Sequence, residues 1–230
     1  MTRVVHVVPV GFTKETLLES LQYYPVSKVI LVLGNKPELD TEQKAREVAK
    51  EIKKDLGVTQ SEEIYVDLED ISSAALQITG KITKEQKNGA EVKVNLSGSI
   101  RTIGIAAYLA ALTTRSEAYI GIPSYQDGKV RGISSVVKVP LPPLKELSKE
   151  KTSILKTLDK ELTLEELTAK LNPKIKRGNK KYLHAKSLLS YHIKDLKKDG
   201  FIETKKEGKT LKIKTTTMGG IYVEGCSGQK

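Results

Sequence analysis

The sequence is poor in cysteine and in long apolar runs. Cys226 is the only cysteine among the 230 residues, so a disulfide framework is excluded and an intracellular location is favoured. No apolar run approaches the roughly 20 residues that a membrane-spanning helix needs. The first residues also lack the charged, apolar and small-residue order of a signal peptide. We therefore expect a cytoplasmic protein without a membrane partner.

The common cofactor-binding and catalytic motifs are missing as well. Neither G-x-G-x-x-G nor G-x-x-x-x-G-K-[ST] occurs, which argues against a dinucleotide or a P-loop triphosphate. The spacing of His184, His192 and Cys226 does not resemble that of zinc ligands. No acidic pair with metal-site spacing and no Ser/His/Asp set stands out. We assign no catalytic residue, metal or cofactor, and we expect His6, inside an apolar stretch, to be a hydrogen-bonded core residue.

Charge is distributed very unevenly along the chain. Residues 1–143 carry 18 basic and 17 acidic side chains, whereas residues 144–230 carry 21 basic and 11 acidic ones. Nearly all of the net charge of +11 therefore lies in the last 87 residues. A local basic excess of this kind favours a polyanionic partner. The alternative is a solvated lysine-rich surface, since lysine and glutamate are also abundant on the surfaces of thermophilic proteins.

Apolar, β-branched segments alternate with helical patterns over the first 140 residues. This alternation predicts a Rossmann-like, mostly parallel six-stranded sheet with helices on both faces. The last two strands are expected to form an antiparallel hairpin around Asp127-Gly128. The expected strands are 3–10, 28–34, 63–68, 92–96, 117–123 and 130–140. The expected helices are 14–24, 40–56, 71–87 with an interruption near Gly80, and 100–113.

A second pattern follows a proline-rich segment. We expect a domain over residues 1–139, a linker over 140–147 and a winged helix-turn-helix domain over 148–230. In the last, helices over 149–160, 162–173 and 180–200 precede two strands within 201–216. Thr163 and Glu166 have the spacing of a capping box. The third helix is expected to bury Leu183, Leu188, Leu189, Ile193 and Leu196. No element is assigned to residues 217–230.

Two strand-to-helix turns carry the residues expected to bind a ligand. In an open parallel sheet, ligands bind beyond the carboxyl ends of strands, where the connections diverge to opposite faces. Free N–H groups at helix N-termini, serine and threonine hydroxyls and an arginine all suit a phosphodiester. The alternatives are a simple helix cap for the Ser-Gly sequence and a surface ion pair for Arg101. The predicted ligand-binding residues are Val10, Gly11, Phe12, Thr13, Asn95, Ser97, Gly98, Ser99, Ile100, Arg101 and Thr102.

The third helix and the hairpin of the C-terminal domain are the predicted contacts with double-stranded DNA. A helix fits the major groove, and lysines around a wing turn can reach neighbouring phosphates. The alternative is a winged helix that docks on a protein. The predicted DNA-binding residues are Lys181, Lys186, Ser187, Ser190, Tyr191, Lys194, Lys205, Lys206 and Lys209.

Together, these segments resemble the archaeal CRISPR-associated regulators that join an N-terminal CARF domain to a C-terminal winged helix. The turns VGFT (10–13) and NLSGSIRT (95–102) occupy the places of the CARF ligand turns, although the family often has a further Gly or Thr where Ser99-Ile100 stands here. The resemblance implies a homodimer, paired through the CARF domains, that binds a cyclic oligoadenylate across its two-fold axis. Cyclic tetra-adenylate suits such an axis.

Three functions remain open on the sequence alone. The first is a ligand-responsive, DNA-binding transcriptional regulator linked to CRISPR-Cas. The second is a ring nuclease of the same architecture, in which Arg101 with Thr13 or Ser99 would position an in-line attack by a 2′-hydroxyl. The third is an adaptor that uses its winged helix to dock on a protein complex.

Overall fold

The computed structural model describes residues 3–57, 60–98, 100–141, 146–208 and 210–226. The chain divides into two compact units. The first contains residues 1–144 together with 224–230, and the second contains residues 145–223. Of the described residues, 224–226 therefore group with the first unit, whereas the expected C-terminal domain covered residues 148–230.

A six-stranded sheet forms the centre of the first unit. Its order is β3-β2-β1-β4-β5-β6, and every neighbouring pair is parallel except β5 and β6. The prediction of a mostly parallel six-stranded sheet is confirmed. The strands are β1 Val4–Pro9, β2 Lys28–Gly34, β3 Ser61–Val66, β4 Glu91–Asn95, β5 Glu117–Gln126 and β6 Lys129–Lys138.

Four helices connect the parallel strands. They are α1 Lys14–Gln22, α2 Asp40–Leu56, α3 Ile71–Lys87 and α4 Arg101–Thr114. Helix α1 packs against α2, and α3 packs against α4. The predicted interruption of α3 near Gly80 is wrong, because this glycine continues the helix. The sequence indicated a break because glycine costs about 1 kcal/mol in a helix interior. Burial of Ala75, Ile78 and Ile82 of α3 offsets that cost.

Strands β1 and β2 lie in the middle of the sheet and are buried on both sides. All six residues of β1 are buried, as are six of the seven residues of β2. On one face, Val8 and Leu31 pack with Leu17 of α1 and Ala49 of α2. The continuous apolar runs of these strands follow from this two-sided burial.

The β5–β6 hairpin closes the sheet on one edge. Asp127 and Gly128 have φ angles of +51° and +72°, which are the left-handed values that a tight two-residue hairpin requires. The turn predicted from the Asp-Gly dipeptide is confirmed.

The second unit combines helices with a small sheet in the order β7-β9-β8. Both strand pairs in this sheet are antiparallel. The elements, in chain order, are α5 Lys149–Thr157, β7 Leu162–Thr163, α6 Leu164–Leu171, α7 Lys180–Lys198, β8 Ile202–Glu207, β9 Thr210–Thr215 and α8 Thr217–Cys226, whose residues from Glu224 onward belong to the first unit. The predicted capping box is confirmed: Glu166 N donates to Thr163 Oγ1, and Thr163 N donates to Glu166 Oε2 over 2.8 Å.

The buried face of α7 differs from the predicted one. Leu189, Ile193 and Leu196 are buried as expected, but Leu183 and Leu188 are about half exposed. The prediction for these two leucines is wrong. Tyr182 is buried at the start of the helix instead, and its hydroxyl donates to the backbone oxygen of Glu165 over 3.3 Å.

Helix α8 was not assigned from the sequence. The sequence does not indicate this helix, because it contains three glycines and glycine is a poor helix former. Its glycines allow close packing: a Cβ at Gly219 would lie 2.2 Å from the Phe201 oxygen, and one at Gly225 would lie 2.6 Å from the Thr113 oxygen. Among the described helices, none combines the length and apolarity that crossing a membrane requires.

His6 is a satisfied core residue, as the sequence predicted. Its Nε2 contacts the Pro25 oxygen at 3.0 Å, so this nitrogen carries the proton, and Nδ1 accepts from the Tyr119 hydroxyl at 2.7 Å. Burial lowers the pKa of His6 to about 4. The folded protein therefore holds a neutral imidazole at neutral pH.

The depressed pKa of His6 predicts acid sensitivity. Between about pH 6.5 and pH 4 the unfolded chain binds a proton at residue 6 and the folded chain does not, so the unfolding free energy should fall by about 3 kcal/mol across this range. His6→Gln keeps a donor and an acceptor but cannot titrate. Urea unfolding at several pH values should show this loss in the wild type and a smaller loss in the variant. Parallel pH profiles would contradict the assignment.

Candidate functional site

The strand order reverses at β1, and this reversal defines the candidate site. Strand β2 lies on one side of β1, and β4 lies on the other. The register of β1 with β4 sets Val7 beside Val94, so the turns that follow these strands leave the same edge of the sheet. Helices α1 and α4, which follow the two turns, join different helix pairs. This is the crevice in which open α/β sheets bind ligands.

The turn after β1 could contact a ligand through its backbone and through one exposed aromatic ring. Val10 is fully buried in the core, and its N–H donates to the Val32 oxygen over 2.9 Å. Gly11 is also buried, whereas Phe12 is 52% exposed. Thr13 is half-buried and is the N-cap residue of α1, but its side chain makes no capping hydrogen bond. Of these four predicted residues, Phe12 is the most accessible to a ligand.

A buried amide holds the turn after β4. The side chain of Asn95 is fully buried, and its Nδ2 donates to Ser20 Oγ of α1 over 2.9 Å. The Asn95 Oδ1 atom accepts from both the N–H and the hydroxyl of Ser97. The Asn95 amide thus connects the turn to α1 and also forms hydrogen bonds within the turn.

The hydroxyl of Ser97 extends this network to β5. It accepts from the Gly121 N–H over 2.8 Å while it donates to Asn95. The next residue, Gly98, lies directly on α1, because a Cβ there would be 2.9 Å from Leu17 Cγ. Asn95, Ser97 and Gly98 therefore set the path of the turn, and the Ser97 hydroxyl is already engaged within the protein.

The start of α4 is the most favourable position for an anion. Ile100 is its N-cap residue and provides no side-chain cap, and the first turn contains no acidic residue. Arg101 is exposed and forms no ion pair with any described residue. The Thr102 hydroxyl is buried without a hydrogen-bond partner among the described residues. Ser99 lies outside the residues that the structure describes.

The helices at the two turns differ in their charges. In α1, Glu15 occupies the first turn, and Lys14 pairs with Glu51 and Asp55 over 3.0 and 2.8 Å. Hydrogen bonding to Asp55 and then Glu51 raises the pKa of Lys14. The first turn of α4, by contrast, contains no acidic residue, and its Arg101 forms no ion pair with a described residue. Since a helix N-terminus attracts anions, α4 is the stronger anion-binding end.

Glu42 is a buried acid that the sequence analysis overlooked. It is completely buried beside Gly34 at the carboxyl end of β2, and a Cβ on that glycine would lie 2.5 Å from Glu42 Cδ. Burial raises the pKa of Glu42. The signal was present in the sequence, because Glu42 shares the helical face of Ala45, Ala49 and Ile52.

The predicted DNA-binding residues of the second unit differ in accessibility and pairing. Lys181, Ser187, Tyr191 and Lys194 are exposed, and Ser190 is half-buried. Lys186 pairs with Glu165. In the hairpin, Lys205 pairs with Glu207 and Lys206 is exposed, while Lys209 lies outside the described residues.

Several known proteins are similar to this chain. An uncharacterized protein of Archaeoglobus fulgidus is 25% identical over 97% of this chain and 98% of its own length. Among solved structures, Enterococcus italicus Csm6 bound to cyclic hexa-2′-fluoro-hexa-dAMP is 13% identical to this chain, with a TM-score of 0.49. The match covers 87% of this chain and 57% of Csm6. Vibrio cholerae VC1899 is 13% identical, with a TM-score of 0.43 and coverages of 96% and 64%. Can2 of Sulfobacillus thermosulfidooxidans, in complex with cyclic tetra-adenylate, is 12% identical, with a TM-score of 0.42 and coverages of 98% and 64%.

The chain thus spans between 57% and 64% of the length of these three solved proteins. A family model matches a contiguous part of the sequence. The family described as "HFX_2341_N:-like, N-terminal" matches residues 4–126, from β1 to the end of β5. That match takes in both turns of the candidate site and more than half of the 230 residues, and the chain belongs to this HFX_2341_N-like family.

Proposed function

We propose that this protein is a ligand-responsive DNA-binding regulator that senses a cyclic oligoadenylate between β1 and β4. The observation that carries the proposal is the start of α4, at the reversal of the strand order, where Ile100 provides no side-chain cap and Arg101 has no ion-pair partner among the described residues. A phosphodiester supplies the negative charge that this position favours. The ligand class rests on the resemblance of the two turns to those of CARF domains.

The turn residues fall into two roles in this proposal. Arg101 and the N–H groups of α4 contact phosphate, and the exposed ring of Phe12 is available to stack on a base. Asn95 and Ser97 position the turn, because their polar atoms are engaged with Ser20 and Gly121. Only residues of the first role gain an interaction when the ligand binds.

The second unit is the proposed DNA-binding part, a winged helix. The order α5-β7-α6-α7-β8-β9 and the antiparallel sheet support this assignment, as does the basic excess of residues 144–230. Helix α7 has 19 residues and an exposed polar side, which suits the major groove. Linkage to CRISPR-Cas defence follows from the family resemblance.

Coupling between ligand and DNA is the direct test of a ligand-responsive regulator. Allosteric coupling typically changes affinity about 5- to 150-fold, so cyclic tetra-adenylate should change the affinity for an operator duplex by at least about fivefold. The duplex would be selected by the full chain from a random library and measured by fluorescence anisotropy. Cyclic tri- and hexa-adenylate test the ring size. Unchanged DNA affinity at saturating ligand would contradict the proposal, and release of linear oligoadenylate would identify a ring nuclease instead.

Arg101→Ala should separate ligand binding from stability. Charge-assisted hydrogen bonds contribute about 1.5–3 kcal/mol each, and a symmetric dimer loses two, so ligand affinity should fall about a hundredfold or more. The melting temperature without ligand should stay near that of the wild type, because Arg101 is exposed and unpaired among the described residues.

Ser97→Ala is the matched control in the same turn. It leaves the Gly121 N–H without its acceptor, so it should lower the melting temperature without ligand, at a cost of about 1–3 kcal/mol. Calorimetric titration and thermal melting of both variants give the comparison. If Arg101→Ala melted early yet still bound ligand, Arg101 would be a structural residue.

A ligand with two-fold symmetry requires two equivalent turns, so we expect a homodimer. Helix α4 carries an apolar side suited to such pairing: Ile105 is 50% exposed, and Tyr108, Leu109 and Leu112 are half-buried. Ile105→Glu should shift the protein towards monomer in sedimentation velocity, since it places a charge on this side. Leu39→Glu, at a comparably exposed leucine before α2, should remain dimeric. A wild-type monomer at micromolar concentration would refute the dimer.

A further inference from the structure

The basic side chains of the second unit differ in whether they are paired. On the sheet formed by β7, β9 and β8, lysines and glutamates alternate in contact. Lys212 lies 2.8 Å from Glu207 and 3.2 Å from Glu161, and Lys205 lies 3.2 Å from Glu207. Hydrogen bonds from Lys212 and then Lys205 lower the pKa of Glu207. In the predicted wing, Lys205 and Lys212 therefore face carboxylates, whereas Lys206 is exposed.

The segment that joins α6 to α7, together with the first two residues of α7, shows the opposite arrangement. Residues 174–181, with the sequence KIKRGNKK, contain five basic residues and no acidic one. All five basic residues are exposed. Within the described ranges, none of the five forms an ion pair with a carboxylate. We call residues 174–181 the basic loop.

The acids nearest to the basic loop are already engaged. Hydrogen bonding to Lys186 lowers the pKa of Glu165, with a smaller contribution from Arg177. Glu166 accepts hydrogen bonds from the backbone and hydroxyl of Thr163 in the capping box of α6. These carboxylates therefore leave most of the loop's positive charge unbalanced.

Hydrogen bonds at both ends fix the basic loop to its helices. At the end of α6, Asn172 Nδ2 donates to the Thr168 oxygen over 3.1 Å, and Ile175 N donates to the Asn172 oxygen over 3.1 Å. Gly178 provides a left-handed turn with φ of +85°. Asn179 then caps α7 by accepting from the N–H groups of Lys181 and Tyr182. Five cations are thus presented at the start of the longest helix of this unit.

We propose that the basic loop, rather than the β8–β9 wing, supplies the main contacts to the phosphates of duplex DNA. The proposal rests on the DNA-binding function proposed above and identifies the surface that performs it. When unpaired cations of a protein neutralise phosphates, the counterions condensed on the DNA are released, and this release favours binding. Lys205 and Lys212 must first leave Glu207 to reach a phosphate, and that carboxylate then stays close to the DNA and repels it.

Duplex DNA is the polyanion that best fits this surface. The basic loop leads directly into α7, and the wide major groove of B-form DNA admits a helix. The first residues of such a helix reach base edges while flanking cations contact the backbone. The deep, narrow major groove of A-form RNA does not admit these side chains.

Two triple variants with the same change in charge test the proposal. Lys174→Gln/Lys176→Gln/Arg177→Gln removes three cations from the basic loop, and Lys205→Gln/Lys206→Gln/Lys209→Gln removes three from the wing. Affinity of the full chain for a random-sequence 24-base-pair DNA duplex is measured between 50 and 300 mM NaCl, with an RNA duplex of the same length as comparison. Each phosphate contact contributes about 0.9 to the slope of log affinity against log salt.

The loop variant loses three phosphate contacts and should flatten this slope by about 2.7. The wing variant should flatten it by less than about 0.9, the contribution of one contact. A charge-conserving variant, Lys174→Arg/Lys176→Arg/Arg177→Lys, should restore the wild-type slope. A larger effect of the wing variant, or failure of the charge-conserving variant to restore the slope, would overturn the proposal while DNA binding itself stands. Equal affinity for duplex RNA would overturn the choice of DNA. A wild type that fails to bind duplex DNA at 50 mM NaCl would instead refute the proposed function.

Discussion

The buried amide of Asn95 is the interaction on which the candidate site depends. It sits at the end of β4, next to the central strand, and joins three parts of the first unit through Ser20 of α1, Ser97 of its own turn and, through Ser97, Gly121 of β5. Its hydrogen bond to Ser20 is buried and its bonds to Ser97 are partly buried, and a lost partner costs more in such an environment than at the surface. Because the amide fixes where the turn leaves the sheet, it also fixes where α4 begins. The position of the Arg101 backbone and of the free N–H groups follows from that starting point.

The layered architecture of the first unit could be predicted from the sequence because its signals are local. Apolar runs such as that of β2 predict two-sided burial, and Asp127-Gly128 predicts its hairpin. The roles within the turn after β4 could not be predicted in the same way. Asn95 and Ser97 read as ligand contacts, and only the three-dimensional pairing with Ser20 and Gly121 shows that their polar atoms are used internally. Which leucines of α7 are buried also depended on packing, since Tyr182 fills the position at which the pattern favoured Leu183.

The sequence and the structure give different information about the basic residues. The sequence locates the basic excess in residues 144–230, and summation over the chain treats every lysine alike. The structure separates lysines that face glutamates, as Lys212 and Lys205 do, from those of residues 174–181 that lack such partners among the described residues. Exposed ion pairs stabilise a fold by at most about 1 kcal/mol, yet they strongly reduce the local potential that a polyanion experiences. The arrangement of the acids therefore decides which lysines attract a phosphate.

In the proposed dimer, two copies of the turn after β4 share one cyclic oligoadenylate. The most direct test of this sharing is the stoichiometry of binding in isothermal titration calorimetry, with the full chain at known concentration and cyclic tetra-adenylate as the titrant. We expect saturation at one ligand for every two chains, because one ring would span the two-fold axis of the proposed dimer. Saturation at one ligand per chain, or the absence of binding heat at every temperature tested, would contradict it.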